Sequence, residues 1–274
     1  SPLHLLFITT ERPTATVSYP RVLVVAEPRS NITIVESYIG LSQISYFTNA
    51  VTELIAGDES RIDHYRYLSE GTNAYHVSNV QVTLGRDSSF RHTSFATGSK
   101  LARNELSVLM NAPGSSCDLS GLYSTSNNEH IDNHIDIDHA QPHTRSEQFF
   151  KGILADSSRA VFSGRVLIRK EAEKTFARQV DKNLLLSNEA EADTKPAFWV
   201  YCDDVKCGHG AACGQMDDNA LFYLRSRGIP ESEARGLLVR AFVTEVIDSI
   251  PNEVLREQIS HLVQSKLNDW ALSN

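Results

Sequence analysis

The chain has 274 residues, with 26 Lys or Arg against 34 Asp or Glu, so its formal net charge at pH 7 is −8. Such an acidic chain lacks the basic excess that neutralises phosphates, which argues against a nucleic-acid partner. The apolar runs, such as Leu3 to Ile8, are far shorter than the ~20 residues that span a bilayer, so we expect a soluble protein without a membrane partner.

Four irregularly spaced cysteines indicate a reducing compartment such as the cytoplasm rather than a disulfide scaffold. Ser1 and Pro2 are not a natural start, so we expect a truncated or processed chain.

From about Leu3 to Cys202, short segments rich in β-branched and aromatic residues alternate with turn residues. No long helical stripe interrupts them, so the pattern fits a sandwich, a barrel or a parallel solenoid. No repeat of fixed length singles out the solenoid. The clearest predicted strands are Val22 to Val25, Ile32 to Val35, Val80 to Leu84, Val161 to Ile168 and Phe198 to Cys202.

One of these β-type segments, His130 to His139, has a regular alternation. On a strand, Ile131, Ile135 and Ile137 would share one face and the His and Asp residues the other. The polar face could hold a divalent ion, but we favour a structural strand edge or a partner contact. Cys117, in a similar setting, is predicted to be a buried small hydrophobe.

Residues 203–215 join the last β-segment to the first helix and carry Gly208, Gly210 and Gly214. Because glycine reaches backbone conformations closed to other residues, we predict a flexible bend here. The segment also holds Cys207 and His209, a thiol and an imidazole that are both metal ligands. The alternative is a surface turn in which these side chains only pack or form hydrogen bonds.

Two other site types were weighed for this segment. The spacing of Cys202, Cys207, His209 and Cys213 lacks the paired C-x-x-C geometry of a zinc knuckle. The glycine pattern is not the dinucleotide fingerprint, and no GxxxxGK[ST] run occurs in the sequence, so we expect no nucleotide to bind this chain.

The last part of the chain is predicted to be helical. Asp217 is a candidate N-cap of a helix that ends at Gly228 and Pro230, and a second helix runs from about Glu231 to Ser249. The expected organisation is a β-domain over residues 1–202, a connecting motif over 203–216 and a helical domain over 217–274. The helices would pack on the β-body or offer a face to another protein. The third predicted helix begins near Asn252 with the stripe Val254, Leu255, Ile259, Leu262, Val263 and Leu267.

Several runs resemble the SufB/SufD family of iron-sulfur cluster assembly proteins, and they resemble SufD more than SufB. The most specific is DDVKCGHGAACGQ at 203–215, followed by LFYLRSRGI at 221–229. The others are VSYPRVLVVAE at 17–27, HIDNHIDIDH at 130–139, FFKGILAD at 149–156, RAVFSGRV at 159–166 and NLLLSNEAEADTKP at 183–196.

The resemblance implies a mainly β fold, a right-handed parallel β-helix core followed by a small C-terminal α-helical domain. It implies a scaffold rather than an enzyme, pairing with SufB in a heterodimer, or forming a homodimer in isolation, and docking the SufC ATPase on the C-terminal helices. A transient iron-sulfur cluster would form at the SufB interface, where His209 faces a SufB cysteine and Cys207 is a second candidate ligand. The family's N-terminal helical domain is missing here, and a plant or algal source would imply the plastid stroma.

Two alternatives from other classes remain open at this point. A β-helix enzyme acting on polysaccharide would use the carboxylates of Asp132, Asp136 and Asp138 as acid and base. A pure interaction module would bind a partner without any metal.

Overall fold

A computed structural model describes residues 2–11, 14–41, 44–261 and 265 of the chain. Within those residues sixteen strands are followed by three helices. The strands are β1 (Leu3–Thr9), β2 (Val17–Ser18), β3 (Arg21–Ala26), β4 (Asn31–Gly40), β5 (Phe47–Ala56), β6 (Arg61–Glu70), β7 (Tyr75–Leu84), β8 (Ser89–Gly98), β9 (Leu101–Met110), β10 (Ser116–Thr125), β11 (His130–His139), β12 (Arg145–Leu154), β13 (Arg159–Ile168), β14 (Thr175–Leu185), β15 (Glu191–Val200) and β16 (Val205–Gln215). The helices are α1 (Asp218–Ser226), α2 (Glu231–Asp248) and α3 (residues 253–261).

The strands form two sheets whose pairings are all parallel in the described part of the chain. Sheet A has the order β1-β4-β6-β8-β10-β12-β14-β16, and sheet B has the order β15-β13-β11-β9-β7-β5, with β2 and β3 both beside β5. Successive strands alternate between the sheets, so the chain winds as a parallel β-solenoid of about seven turns. The predicted fold class is therefore confirmed, and each of the five predicted strands corresponds to an observed one.

The turns of the solenoid are not equal in length. Ser116 pairs with Ser89, 27 residues earlier, whereas Phe176 pairs with Arg145, 31 residues earlier. Inward-facing side chains of the two sheets form one long apolar cluster, with Phe90, Phe150 and Phe162 among its largest members. The stacking of unequal turns explains why the sequence shows no fixed repeat.

One corner of the solenoid is built from residues with positive φ, one in each successive turn. Each donates its backbone N–H to a carbonyl oxygen of the next turn, at 2.7 to 3.3 Å. A positive φ is uncommon outside glycine, yet only one member of this corner is a glycine. The residues are Arg29, Glu59, Asp87, Gly114, His143 and Lys174.

The interior also contains paired polar groups. His64 contacts the carboxylate of Glu36 at 3.0 Å, and His76 contacts that of Glu70 at 2.7 Å. Burial alone would raise the pKa of Glu36, but the hydrogen bond and charge of His64 hold that pKa well below its usual range. These pairs satisfy groups that would otherwise destabilise the core.

The helices pack against the β-body. The N-cap prediction is confirmed, because the side chain of Asp217 accepts a hydrogen bond of 2.9 Å from the backbone N–H of Asn219. Helix α2 lies on the outer face of sheet A, and Ile259 of α3 packs there too, whereas Val254, predicted to be in the apolar stripe, is exposed. Leu262, Val263 and Leu267 lie outside the described residues. The apolar contact joins Val239, Val243, Val246 and Ile247 of α2 to Phe95, Leu122, Ile153 and Leu184 of sheet A.

None of the helices among the described residues combines the length and apolar character needed to cross a bilayer.

The segment predicted as a flexible bend is instead strand β16, so the predicted bend is wrong. Its eleven residues pair in register with β14, and the pairing outweighs the low strand propensity of glycine. The described glycines with positive φ are Gly98, Gly114 and Gly228, so Gly208, Gly210 and Gly214 do not use left-handed freedom. The division into domains at 202 and 217 stays a prediction.

Candidate functional site

Strand β16 is the terminal strand of sheet A. One of its edges pairs with β14, and among the residues that the structure describes no strand pairs with the other edge. Strand β15 has the corresponding place in sheet B. The solenoid thus has an open end at which backbone N–H and C=O groups are available for another strand.

The side chains of β16 alternate between the interior and the outer face. Cys207, His209 and Cys213 lie in register with Ala177, Gln179 and Asn183 of β14, all of which are buried in the interior. The three residues of β16 therefore occupy inward positions of the last turn. They are nevertheless exposed, because no further turn of this chain covers them.

The two candidate ligands line one surface groove. The edge of the His209 ring contacts Phe198 of β15, with ring centroids 5.1 Å apart, and Phe198 packs on the core. Cys207 is two residues away on the same face, about 7 Å along the strand. Arg178 and Lys206 add positive charge to the wall of the groove, a setting suited to a thiolate.

The other two cysteines of this region do not join this pair. Cys202 is buried in the core. Cys213 is about 20 Å from Cys207 along the strand, and its thiol lies 3.7 Å from the side-chain nitrogen of Asn183. Partial burial raises the pKa of the Cys213 thiol. The structure therefore separates the residues of the zinc-knuckle alternative.

The groove alone is an incomplete ligand set. Among the described residues, no group of three or more His, Cys, Asp or Glu side chains is close enough to hold a metal ion. An iron-sulfur cluster usually takes four protein ligands, mostly thiolates. His209 and Cys207 could supply two of them, so the others would have to come from a second molecule at the open end.

The polar strand His130–His139 forms β11, with the predicted alternation. Ile131, Ile135 and Ile137 are buried, and the Asp side chains lie on the outer face of sheet B. Each is paired with an arginine of a neighbouring strand, an arrangement that favours the ionised carboxylate. A polysaccharide-cleaving acid must carry a proton, so the pairing favours the structural interpretation. The pairs are Asp132 with Arg103, Asp136 with Arg165 and Asp138 with Arg169.

Cys117 is fully buried, as predicted, and burial raises the pKa of its thiol far above the usual range. The sequence did not reveal that Gln179 lies beside His209, because thirty residues separate them along the chain. Only the register of the solenoid brings these two side chains together.

Comparison with known proteins identifies the family. A family model described as "SUF system FeS cluster assembly, SufBD core domain" matches residues 7–242. The chain belongs to the SufBD family. The match includes the whole solenoid from β3 to β16, together with α1 and most of α2.

Three relatives show how far the similarity extends. An iron-sulfur cluster assembly SufBD family protein of Synechocystis is 34% identical over 274 residues, which cover 97% of this chain and 60% of the relative. The iron-sulfur cluster assembly protein SufD of Escherichia coli is 31% identical over 86% of this chain and 56% of the relative. Protein ABCI7, chloroplastic, of Arabidopsis thaliana is 34% identical over 92% of this chain and 53% of the relative. The chain thus spans between half and three fifths of the length of these relatives.

Proposed function

We propose that this SufBD family protein is a non-catalytic scaffold subunit on which an iron-sulfur cluster is assembled as cargo. In this proposal it pairs with a SufB-type subunit at the open end of the solenoid. His209 donates a ligand to the nascent cluster, and Cys207 is the second candidate. The partner completes the ligand set.

The observation that carries the proposal is the position of His209. The residue is on an inward face of the solenoid, where the corresponding side chains of every earlier turn are covered, yet its imidazole is exposed. An imidazole is an occasional cluster ligand beside thiolates. Mixed ligation by one imidazole and few thiolates suits a cluster that must later be released.

The backbone of β16 supports the pairing with a partner. Its free edge offers a row of hydrogen-bonding groups to an added strand, the mode known as β-augmentation. Gly208, Gly210 and Gly214 have no atom within 4 Å of the position of an added Cβ, so a partner chain can approach the backbone closely. A second copy of this chain could occupy the same edge in the absence of the SufB-type subunit.

We further propose that the C-terminal helices dock the SufC-type ATPase. The sequence contains no phosphate-binding GxxxxGK[ST] run, so nucleotide hydrolysis must be supplied by another protein. Helix α1 exposes Phe222 and Tyr223, which are 73% and 57% accessible, and aromatic side chains are frequent anchors at interfaces.

The proposed location is a reducing compartment, either a bacterial cytoplasm or a plastid stroma. All four cysteines are free, and free thiols persist in such compartments. The names of the relatives from Escherichia coli and Arabidopsis agree with these two settings.

The test is cluster transfer from the assembled complex of this chain with SufB-type and SufC-type subunits to an apo-acceptor protein. We expect His209→Ala to slow transfer by about tenfold or more, because a ligand is lost. His4→Ala is the matched control, since His4 is an exposed histidine on β1, the terminal strand of sheet A at its other edge. Unchanged transfer by the His209→Ala complex would contradict the ligand role.

A further inference from the structure

Directly below His209 in the solenoid are two buried glutamines. Gln179 of β14 is in register with His209, and Gln148 of β12 is in register with Gln179. Both glutamine side chains are almost completely buried, at 0% and 2% exposure. The three residues therefore form one inward-facing column that ends at the open end of the solenoid.

The two amides form a short hydrogen-bond ladder. Gln179 donates from Nε2 to Oε1 of Gln148 at 3.0 Å. The opposite strand β13 leaves room for this amide at Gly164, where a Cβ would lie only 1.7 Å from Gln179 Nε2. The position of the Gln179 amide is thus fixed by its neighbour in the ladder and by the close backbone of β13.

The ladder is incomplete on the side of His209. Gln179 Oε1 is buried and has no hydrogen-bond partner among the described residues. A buried unsatisfied acceptor is costly, and such a group calls for a partner that forms in another state of the protein. Gln179 and His209 line the same groove, and neighbouring strands are only ~4.8 Å apart. His209 is the next member of the column and carries a ring N–H donor.

We propose that Gln179 is the positioning residue of His209. One ring N–H of the imidazole donates to Gln179 Oε1 and completes the ladder. This hydrogen bond selects one tautomer and directs the lone pair of the other ring nitrogen into the groove, where a metal would bind. Histidine ligands commonly use their second nitrogen in this way. The inference rests on the proposed role of His209, but the hydrogen bond itself requires no bound cluster.

The test uses ¹⁵N-histidine NMR of the full chain at about pH 8, where an ordinary imidazole is neutral. The unsubstituted protein must show His209 mainly as one tautomer, and equal populations would overturn the inference without any variant. Loss of one neutral hydrogen bond in Gln179→Met should change the tautomer ratio by about three- to tenfold. It should also speed the exchange of the ring N–H with solvent.

The matched control is Gln148→Met, the same chemical change one turn deeper, which leaves Gln179 Oε1 in place. We expect this variant to keep the tautomer ratio of the unsubstituted protein, while circular dichroism verifies that both variants are folded. Equal changes in both variants, or no change in Gln179→Met, would overturn the proposal. Cluster transfer with His209→Ala is a separate measurement, so the ligand role of His209 can survive the failure of this inference.

Discussion

The ammonium group of Lys151 lies 2.8 Å from Oε2 of Glu245 and joins helix α2 to the outer face of sheet A. The Lys151 side chain is only 4% exposed, and its Nζ also donates to the backbone oxygen of Phe242 at 2.5 Å. A charged group from a β-strand thus reaches the helix carrying the apolar contact Val239, Val243, Val246 and Ile247.

We predict that Glu245→Gln loosens this attachment. Because Glu245 is largely exposed, solvent screens the pair, and the expected loss of stability is only about 1 kcal/mol. Hydrogen exchange of the α2 amides should accelerate, while the amides of β11 remain protected. Glu257→Gln on α3 is the control, since Glu257 is also an exposed acid of the helical region. Equal exchange in both variants would contradict the role of the Lys151 pair.

The outer face of β16 makes a second prediction possible. A Cβ at Gly210 meets no atom of this chain within 4 Å, so Gly210→Leu should fold with almost unchanged stability. The larger side chain should nevertheless obstruct a strand or backbone arriving from the SufB-type subunit. We expect the affinity of the pair to fall by about tenfold, or about 1.4 kcal/mol.

Calorimetric titration of the two subunits measures this affinity. Gly236→Leu is the matched control, because Gly236 on α2 is also free of neighbours within 4 Å. If Gly210→Leu binds the SufB-type subunit as tightly as Gly236→Leu does, the partner does not approach this face of β16.

Cysteine accessibility provides a third test. Cys207 is exposed and Cys117 is fully buried with a raised pKa, so an alkylating reagent should modify Cys207 first. Cys213 should react more slowly than Cys207, because burial raises its pKa. Addition of the SufB-type subunit should protect Cys207. Mass spectrometry of timed samples gives the order, and continued modification of Cys207 in the complex would place it outside the interface.

The buried histidines predict how stability depends on pH. Burial lowers the pKa of His139 to about 4, whereas an unfolded histidine titrates near 6.5. As pH falls, the unfolded chain binds the proton first, so stability declines from about pH 6.5 and the loss is complete near pH 4. At about pH 5 the loss from His139 is about 2 kcal/mol. His76 and His92, whose pKa values are also lowered by burial, act in the same direction.

Urea unfolding at about pH 7.5 and about pH 5 measures this dependence. His139→Gln should lose part of it, because its side chain takes up no proton over this range. His143→Gln is the control, since His143 is exposed and should leave the dependence unchanged. Identical pH dependence in both variants would show that His139 does not contribute.

The comparison of sequence and structure shows what local patterns can and cannot predict. The alternation of Ile131, Ile135 and Ile137 with Asp residues predicts both faces of β11, because a strand repeats every two residues. The stacking of the turns leaves no such signal. Their lengths range from 27 to 31 residues, and the positive-φ corner holds Arg29, Glu59 and Asp87 rather than a regular glycine. The solenoid was therefore expected from the family resemblance and not from periodicity.

The site was partly predictable for the same reason. Cys207 and His209 were chosen from their chemistry and from the resemblance, but three nearby glycines led to the wrong prediction of a bend. Glycine has a low intrinsic strand propensity, and eleven residues of pairing with β14 override that preference. The surroundings of His209, namely Phe198 and Gln179, depend on contacts between turns, which a single sequence does not display.

The most direct test of the shared-site account is anaerobic reconstitution with iron and sulfide, followed by measurement of bound iron and the cluster absorption spectrum. We expect the isolated chain to retain little cluster, and the pair with the SufB-type subunit to retain a cluster that His209→Ala diminishes and His4→Ala does not. A stable cluster on the isolated chain, or full loading of the His209→Ala pair, would contradict the account.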